Sequence, residues 1–153
     1  MNLLEDFLSE NPLDSDKSVM KWGAVGMIAF TIHNIYNGFE DVMKVICKEV
    51  DGHTPGGESS HQDILNQLKS ELPDVRPPVL KDELYKNLTD LKAFRHRVNH
   101  NYANELIEIR VLEKLDLLRA TYPMFLTAMY DLDRNLLPPS NDKEDEVDNP
   151  FPS

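Results

Sequence analysis

The sequence predicts an all-α protein, an antiparallel helical bundle of about four main helices, on three observations. Apolar residues recur at three- and four-residue steps through four blocks, which is the spacing of one face of an α-helix. Proline and glycine clusters separate the blocks, and no block shows the strict alternation of a β-strand. The chain has 153 residues, of which 41% are apolar, and this is enough for one hydrophobic core.

The first two blocks predict a long helix and a short one. The long helix runs from about residue 16 to residue 50, with Ser15 as its candidate N-cap. A loop over residues 51–57 contains a proline and two adjacent glycines and separates it from the next block. The short helix begins near Ser60, and three prolines between residues 73 and 78 end it and form a stiff connector.

The last two blocks predict two further helices. The third helix starts near Val79 and ends between His100 and Asn104. The fourth covers about residues 105–137 and contains Pro123. Its apolar pattern keeps phase across the proline, which predicts a kinked helix rather than two separate ones.

The distribution of charge predicts one domain with acidic ends. The formal net charge is −11, of which residues 1–16 carry −5 and residues 138–153 carry −4, so residues 17–137 are nearly neutral. We expect a domain over residues 1–137, with an acidic segment at 1–15, and a disordered acidic tail at 138–153. The overall charge by itself argues against RNA binding, which usually rests on Lys and Arg.

Cysteine content and hydropathy predict a cytoplasmic protein without a membrane anchor. Cys47 is the single cysteine, so the chain can form neither an internal disulfide nor a cysteine-based zinc site, and we expect Cys47 to be a buried helix residue. The N-terminal residues lack the basic segment of a signal peptide. The longest apolar run, from Trp22 to Ile32, is too short to span a bilayer.

The densest polar cluster lies at the end of the third helix, over residues 94–102. On a helical wheel Arg95 falls beside the apolar stripe, between Leu91 and Val98, so its charge must meet a partner or a ligand. Arg95 and His100 are about 140° apart around a straight helix. Two ways for them to act together stay open: the helix unwinds before His100, or two chains contribute residues to one interface.

An arginine and a histidine are the groups that RNA cleavage without a metal requires. The imidazole can accept or donate a proton near neutral pH, and the guanidinium can stabilise the charge that builds on the phosphate oxygens. The cluster is compatible with this chemistry but does not demand it. It could equally be a structural helix end that caps carbonyl groups and pairs with nearby acids.

Three segments of the chain resemble the HepT branch of the HEPN ribonucleases. Arg95, His100 and Tyr102 match the pattern Arg-x4-His-x-Tyr without a gap. Residues 33–40 (HNIYNGFE) are similar to that branch's first-helix signature, and residues 61–65 (HQDIL) are similar to a second segment of HepT-like domains.

The resemblance implies a function, partners and roles for residues. HepT-like proteins are homodimeric toxins of type II-like toxin–antitoxin pairs that cleave RNA, often tRNA, without a metal or cofactor. We therefore expect tRNA as the substrate of this chain, with mRNA as the alternative. Their motifs line a cleft between the two subunits. An MNT-type nucleotidyltransferase antitoxin silences them by transferring AMP to the motif tyrosine, here Tyr102. The resemblance assigns phosphate binding to Arg95 and general acid or base catalysis to His100. It places His96 at the polar position that follows the motif arginine, and Asn99 flanks the site; both are expected to support it. Arg97 is an additional base that the motif does not require. It faces solvent on the helical wheel, and we expect it to support the site by gripping the substrate backbone.

Two other functions compete with this interpretation. The chain could be a non-catalytic HEPN module that binds a nucleotidyltransferase partner or a nucleotide, or a bundle that dimerises for structural reasons alone. The remaining histidines carry simpler expectations. A histidine at a helical position like that of His33 is more often a satisfied core or interface residue than a cleft residue. His61 is expected to lie at a helix N-terminus.

Overall fold

The structure, a computed structural model, describes residues 2–10, 18–57, 59–100 and 108–136. These ranges contain five helices and no strand beyond an isolated bridge between Leu72 and Arg76: α1 (Asn2–Glu10), α2 (Ser18–Glu49), α3 (Ser60–Lys69), α4 (Asp82–His100) and α5 (Glu108–Leu136). The predicted all-α bundle is therefore confirmed, and the four predicted blocks correspond to α2, α3, α4 and α5. Ser15, residues 101–107 and the predicted tail lie outside the described residues.

The first helix, α1, lies in the segment that the sequence marked only as acidic. Leu8 packs against the core, and Glu5 forms an ion pair of 2.7 Å with Arg119 on α5. The helix has nine residues, and a helix this short depends on tertiary packing for its stability. This is why the local pattern of the sequence did not predict it.

Helices α2, α4 and α5 pack pairwise against one another, and α3 covers α2 and α4. Their buried side chains form one core, to which α2 contributes Val25, Ile28, Ala29, Ile32, Tyr36, Phe39, Met43, Ile46 and Cys47. Cys47 is buried, as predicted, and burial raises the pKa of its thiol to about 11. Helix α5 continues across Pro123, as its unbroken apolar phase predicted, and the kink itself stays a prediction.

Contacts between helices fix the direction of each one. Lys21 pairs with Glu108 near the starts of α2 and α5, and Phe39 packs on Phe125 further along both helices, so α2 and α5 run in the same direction. Helix α4 runs opposite to α5. Its contacts pair Asn87 with Met124 and the later Asp90 with the earlier Lys114. The C-terminal end of α4 therefore lies at the same end of the bundle as the starts of α2 and α5.

A buried ion pair fixes the two connectors at the opposite end. Arg76 donates through Nε and Nη2 to the two carboxylate oxygens of Asp51, each at 2.6 Å, and both side chains are almost fully buried. The same guanidinium also donates to the backbone carbonyls of Ser70 and Gln67. These hydrogen bonds satisfy the donors of the buried guanidinium. The ion pair also links the loop after α2, which contains Asp51, to the connector before α4, which contains Arg76.

None of the described helices combines the length and the apolar content that crossing a bilayer requires.

Candidate functional site

Arg95 occupies a largely buried position near the end of α4. The side chain is 19% exposed, and its Nη1 atom donates to Oε2 of Glu40 on α2 at 2.9 Å. A charge beside the apolar stripe was expected to need a partner, and Glu40 is that partner. The carboxylate is itself only 3% exposed, so the two charges neutralise each other within the bundle.

Glu40 is the centre of an ionic cluster that joins three helices. Its Oε2 atom also accepts a hydrogen bond of 2.7 Å from Nδ1 of His61 on α3, and its Oε1 atom lies 2.7 Å from Nζ of Lys44. We call these four residues (Glu40, Lys44, His61 and Arg95) the Glu40 cluster. Burial alone raises the pKa of Glu40, but the hydrogen bond from Lys44 and the charges of its neighbours outweigh it and hold the pKa below its ordinary value.

The ionised carboxylate determines the tautomer of His61. A carboxylate can only accept hydrogen bonds, so the Nδ1 atom that contacts Glu40 must carry the proton. The Nε2 atom, on the other side of the ring, is then the one that can accept or release a proton. The side chain of His61 is 43% exposed. Nη1 of Arg95 lies 3.5 Å from Nδ1 of His61, because both nitrogens donate to the same carboxylate oxygen.

Arg95 and three residues of α2 contain buried polar atoms without a hydrogen-bond partner in the described part of the chain. Among the described residues, four buried side-chain atoms have no hydrogen-bond partner: Nδ1 of His33, Oη of Tyr36, Oδ1 of Asn37 and Nε of Arg95. The guanidinium lies 5.8 Å from the centre of the Tyr36 ring. Unsatisfied groups of this kind cost about 1–3 kcal/mol each. Two of the four residues, Tyr36 and His33, lie close enough to Arg95 to interact with its charge, which makes this region a candidate site.

Burial and charge also shift the pKa values of these neighbours. Burial raises the pKa of Tyr36, and Glu40 adds to the rise while Arg95 opposes it. Burial lowers the pKa of His33, and the positive charge of Arg95 lowers it further. Tyr36 and His33 are therefore both held in their neutral forms near neutral pH. His33 is only partly buried and its Nδ1 atom has no hydrogen-bond partner among the described residues, so the expectation of a core or interface residue stays a prediction.

A cavity of about 620 Å³ opens beside Arg95, and we call it the Arg95 cavity. Its lining residues come from the start of α3 and the end of α4, and they carry three formal positive charges and no carboxylate: Ser59, His61, Gln62, Lys92, Ala93, Arg95, His96 and Arg97. The chain as a whole has a net charge of −11, so the lining of this cavity is positive in a protein that is otherwise acidic. The cavity has the charge and the size to take an anion such as a phosphate group.

Lys92 lies inside this cavity and is partly desolvated. It donates to Oε1 of Gln62. Burial lowers its pKa, although the carboxylates of Asp63 and Glu40 act in the opposite direction. A cation that has lost part of its hydration gains more from an incoming anion than an exposed cation does, because screening is weaker there.

The structure brings together some of the predicted site residues and leaves others undescribed. Arg95, His96 and Arg97 all line the Arg95 cavity, and Arg97 is exposed, as predicted. Helix α4 stays helical through His100, so it does not unwind before that residue, and positions 95 and 100 remain about 140° apart around its axis. The side chains of Asn99 and His100, and all of Tyr102, lie outside the described residues.

Sequence reasoning missed three residues of this site. Glu40 and Lys92 were not singled out, and His61 was expected only at a helix N-terminus, which it also occupies. One signal for Glu40 was present. It follows Tyr36 by four residues on the buried side of α2, where a carboxylate requires a partner. Within the described ranges, no group of three or more His, Cys, Asp or Glu side chains is placed to hold a metal ion.

An all-α bundle whose α4 carries Arg95 and ends at His100 agrees with the HEPN architecture that the resemblance implies. A family model described as "HepT-like protein" matches residues 27–136, which is well over half of the chain. The protein therefore belongs to the HepT-like family. No curated protein and no solved structure matched the chain.

Proposed function

We propose that this protein is the toxin of a type II-like toxin–antitoxin pair and acts as a metal-independent endoribonuclease, with tRNA as the favoured substrate and mRNA as the alternative. One observation carries the proposal: Arg95 is held on the buried carboxylate of Glu40 at the wall of a cavity lined by cations. Membership of the HepT-like family supports it, because HEPN proteins are generally ribonucleases.

In this proposal Arg95 and His100 divide the chemistry between them. Nη1 of Arg95 stays on Glu40, and Nη2 of the same guanidinium binds a phosphate oxygen of the substrate. There the guanidinium stabilises the negative charge that builds up as phosphorus becomes five-coordinate. His100 transfers a proton to or from the reacting oxygens. His96, Asn99 and Arg97 support the site by contacting the substrate backbone.

We further propose that two copies of the chain assemble the cleft. Positions 95 and 100 diverge by about 140° on one unbroken helix, so a phosphate that meets Arg95 of one copy is better placed to meet His100 of the other. The second copy would pack on an unpartnered face of α2. That face carries Trp22, which is 76% exposed, and Phe30, which is 50% exposed. It runs directly into the site, since the ring of Phe30 lies parallel to that of His33, with centroids 6.3 Å apart.

Regulation would act at Tyr102, two residues after His100. An MNT-type nucleotidyltransferase antitoxin would transfer AMP from ATP to its hydroxyl. The added phosphate is an anion close in sequence to Arg95 and the Arg95 cavity, so it would compete with the phosphate of the substrate for the same cations. The test is the intact mass of the protein after incubation with ATP and the antitoxin. We expect the mass to increase by whole AMP groups and Tyr102→Phe to abolish the increase.

Cleavage of total RNA in the presence of EDTA tests the ribonuclease directly. We expect cleavage by the wild type and losses of about a hundredfold or more for Arg95→Ala and for His100→Ala, the range typical of general acid–base and electrostatic catalysis. Arg134→Ala and His53→Ala, both at exposed positions, are the matched controls and should cleave like the wild type. If Arg95→Ala and His100→Ala cleave as well as the wild type, only a non-catalytic HEPN module that binds a partner remains.

A further inference from the structure

We infer that His61 is a second catalytic imidazole of this site, one that removes the proton of the ribose 2′-hydroxyl from an RNA strand bound in the Arg95 cavity. The inference rests on the proposed ribonuclease function. It adds to that function a residue that lies outside the Arg-x4-His-x-Tyr pattern and on a different helix, α3.

His61 and Arg95 lie close to each other within one chain. Nδ1 of His61 lies 3.5 Å from Nη1 of Arg95, although the two residues are 34 positions apart in the sequence. Both line the same cavity. A phosphate bound by Arg95 would therefore hold its neighbouring ribose within reach of this imidazole. His100, in contrast, sits about 140° around α4 from Arg95.

Glu40 orients the ring of His61. The carboxylate of Glu40 accepts the Nδ1 proton of His61 at 2.7 Å, which fixes the ring and leaves the lone pair on Nε2. A carboxylate that orients an imidazole in this way is a recurring device in enzymes that use histidine as a base. It also stabilises the imidazolium that forms when Nε2 takes up a proton. Glu40 is thus a positioning residue, because it acts through His61 and Arg95 rather than on the substrate.

Cationic side chains surround the imidazole of His61. Helix α2 presents Glu40, with Lys44 bound to its other oxygen, and α4 presents Lys92 and Arg95. Asp63 on α3 itself pairs with the hydroxyl of Ser59. The first turn of α3 also directs its partial positive charge toward the cavity, as Ser59 and His61 both line it. A phosphodiester is attracted to this set of groups, and the attraction brings its 2′-hydroxyl to His61.

The proton of the 2′-hydroxyl passes to Nε2 of His61, and the 2′-oxygen forms a bond to phosphorus. The bond between phosphorus and the 5′-oxygen breaks, and that oxygen receives a proton from His100, which enters the step protonated. The products are a 2′,3′-cyclic phosphate and a 5′-hydroxyl end. Water then restores the protonation states of the two histidines.

The experiment compares His61→Ala and His61→Gln with the wild type by measuring cleavage of an RNA oligonucleotide as a function of pH. Only the deprotonated form of a general base is active, so the acidic limb of the kcat/KM profile should disappear in both variants. We expect kcat to fall about a hundredfold or more. Glutamine can still donate to Glu40, so it keeps the structural hydrogen bond without the base. His53→Ala, in the exposed loop, is the matched control.

The outcomes separate the inference from the proposed function. If both His61 variants keep the wild-type rate and acidic limb while Arg95→Ala is inactive, the ribonuclease stands and the inference fails. If His61→Gln recovers the wild-type rate, His61 is a structural donor, and the inference also fails. If the wild type does not cleave RNA, both fail. A second measurement, independent of cleavage, is the imidazole nitrogen resonance of His61 during titration with 2′-O-methyl RNA. We expect Nε2 to shift in the wild type and not in Arg95→Ala, and an unmoved Nε2 resonance would overturn the inference.

Discussion

Nη1 of Arg95 lies 2.9 Å from Oε2 of Glu40, and this contact joins two helices across 55 positions of the sequence. The arginine of the family motif is therefore not a free side chain at a helix end. It is held by a buried carboxylate that also holds His61 and Lys44. The geometry of the site thus depends on a residue of α2 that the motif does not include.

The first prediction concerns Glu40→Gln. Glutamine keeps the size of the side chain but removes the charge that balances Arg95 and Lys44, so the free energy of unfolding should fall by about 3 kcal/mol. Cleavage should fall roughly tenfold or more, because Arg95 and His61 lose their common anchor. Urea unfolding and initial cleavage rates measure the two effects. Glu49→Gln, on the exposed surface of the same helix, is the control and should change stability by less than about 1 kcal/mol.

The second prediction separates stability from activity at the far end of the bundle. Arg76→Ala leaves the buried carboxylate of Asp51 without its partner, so the free energy of unfolding should fall by about 3–5 kcal/mol. Lys69→Ala breaks an exposed ion pair with Asp82 and a cation–π contact with Tyr85, and it should cost about 1 kcal/mol. Cleavage per folded molecule should stay at the wild-type level in both. A specific loss of activity in folded Arg76→Ala would mean that the two ends of the bundle are coupled.

The third prediction concerns acid stability. Burial raises the pKa of Asp51, but the hydrogen bonds from Arg76 and Gln67 outweigh it and hold the pKa below its ordinary value of 3.8. The folded state thus favours the charged carboxylate. Its contribution to stability is complete well above pH 3.8 and is lost as the pH falls from there through the folded-state pKa.

Urea unfolding at a series of pH values from 7 down to about 3 measures this dependence. Asp51→Asn should be less stable than the wild type at neutral pH, and it should lose less stability on acidification. Asp133→Asn, on the exposed surface of α5, should follow the wild-type curve. An unchanged slope in Asp51→Asn would show that other carboxylates, Glu40 among them, account for the acid sensitivity.

The fourth prediction tests the proposed dimer. A glutamate at Phe30 places a charge on the proposed contact face of each copy, where a two-fold axis brings like charges together. Phe30→Glu should therefore sediment as a monomer at concentrations where the wild type is a dimer, with unchanged helical content by circular dichroism because the position is half exposed. Tyr130→Glu, at an exposed position on α5, is the control. A dimer that persists in both Phe30→Glu and Trp22→Glu would exclude this face.

The fold could be predicted from the sequence because each main helix carries its own pattern. The apolar stripes of α2, α4 and α5 repeat at local spacings, and prolines and glycines mark their ends. The nine-residue α1 was missed, since its stability comes from contacts such as that between Glu5 and Arg119. Local patterns contain no information on which distant residue completes such a contact.

The candidate site was predictable only in part for the same reason. The wheel position of Arg95 indicated that it needs a partner, but not that the partner is Glu40. The pairing of His61 with Glu40 arises from the packing of α3 on α2, 21 positions apart in the sequence, and no spacing rule predicts it. The resemblance to HepT-like proteins had singled out both segments without saying that they meet at Arg95.

The Glu40 cluster draws side chains from α2, α3 and α4, so it can form only when all three helices have docked. A chain in which only one or two of these helices have docked has no anchored guanidinium and no oriented imidazole. The proposed ribonuclease would therefore become active only after α4 has been synthesised and has docked, which makes the assembled bundle a condition for the activity.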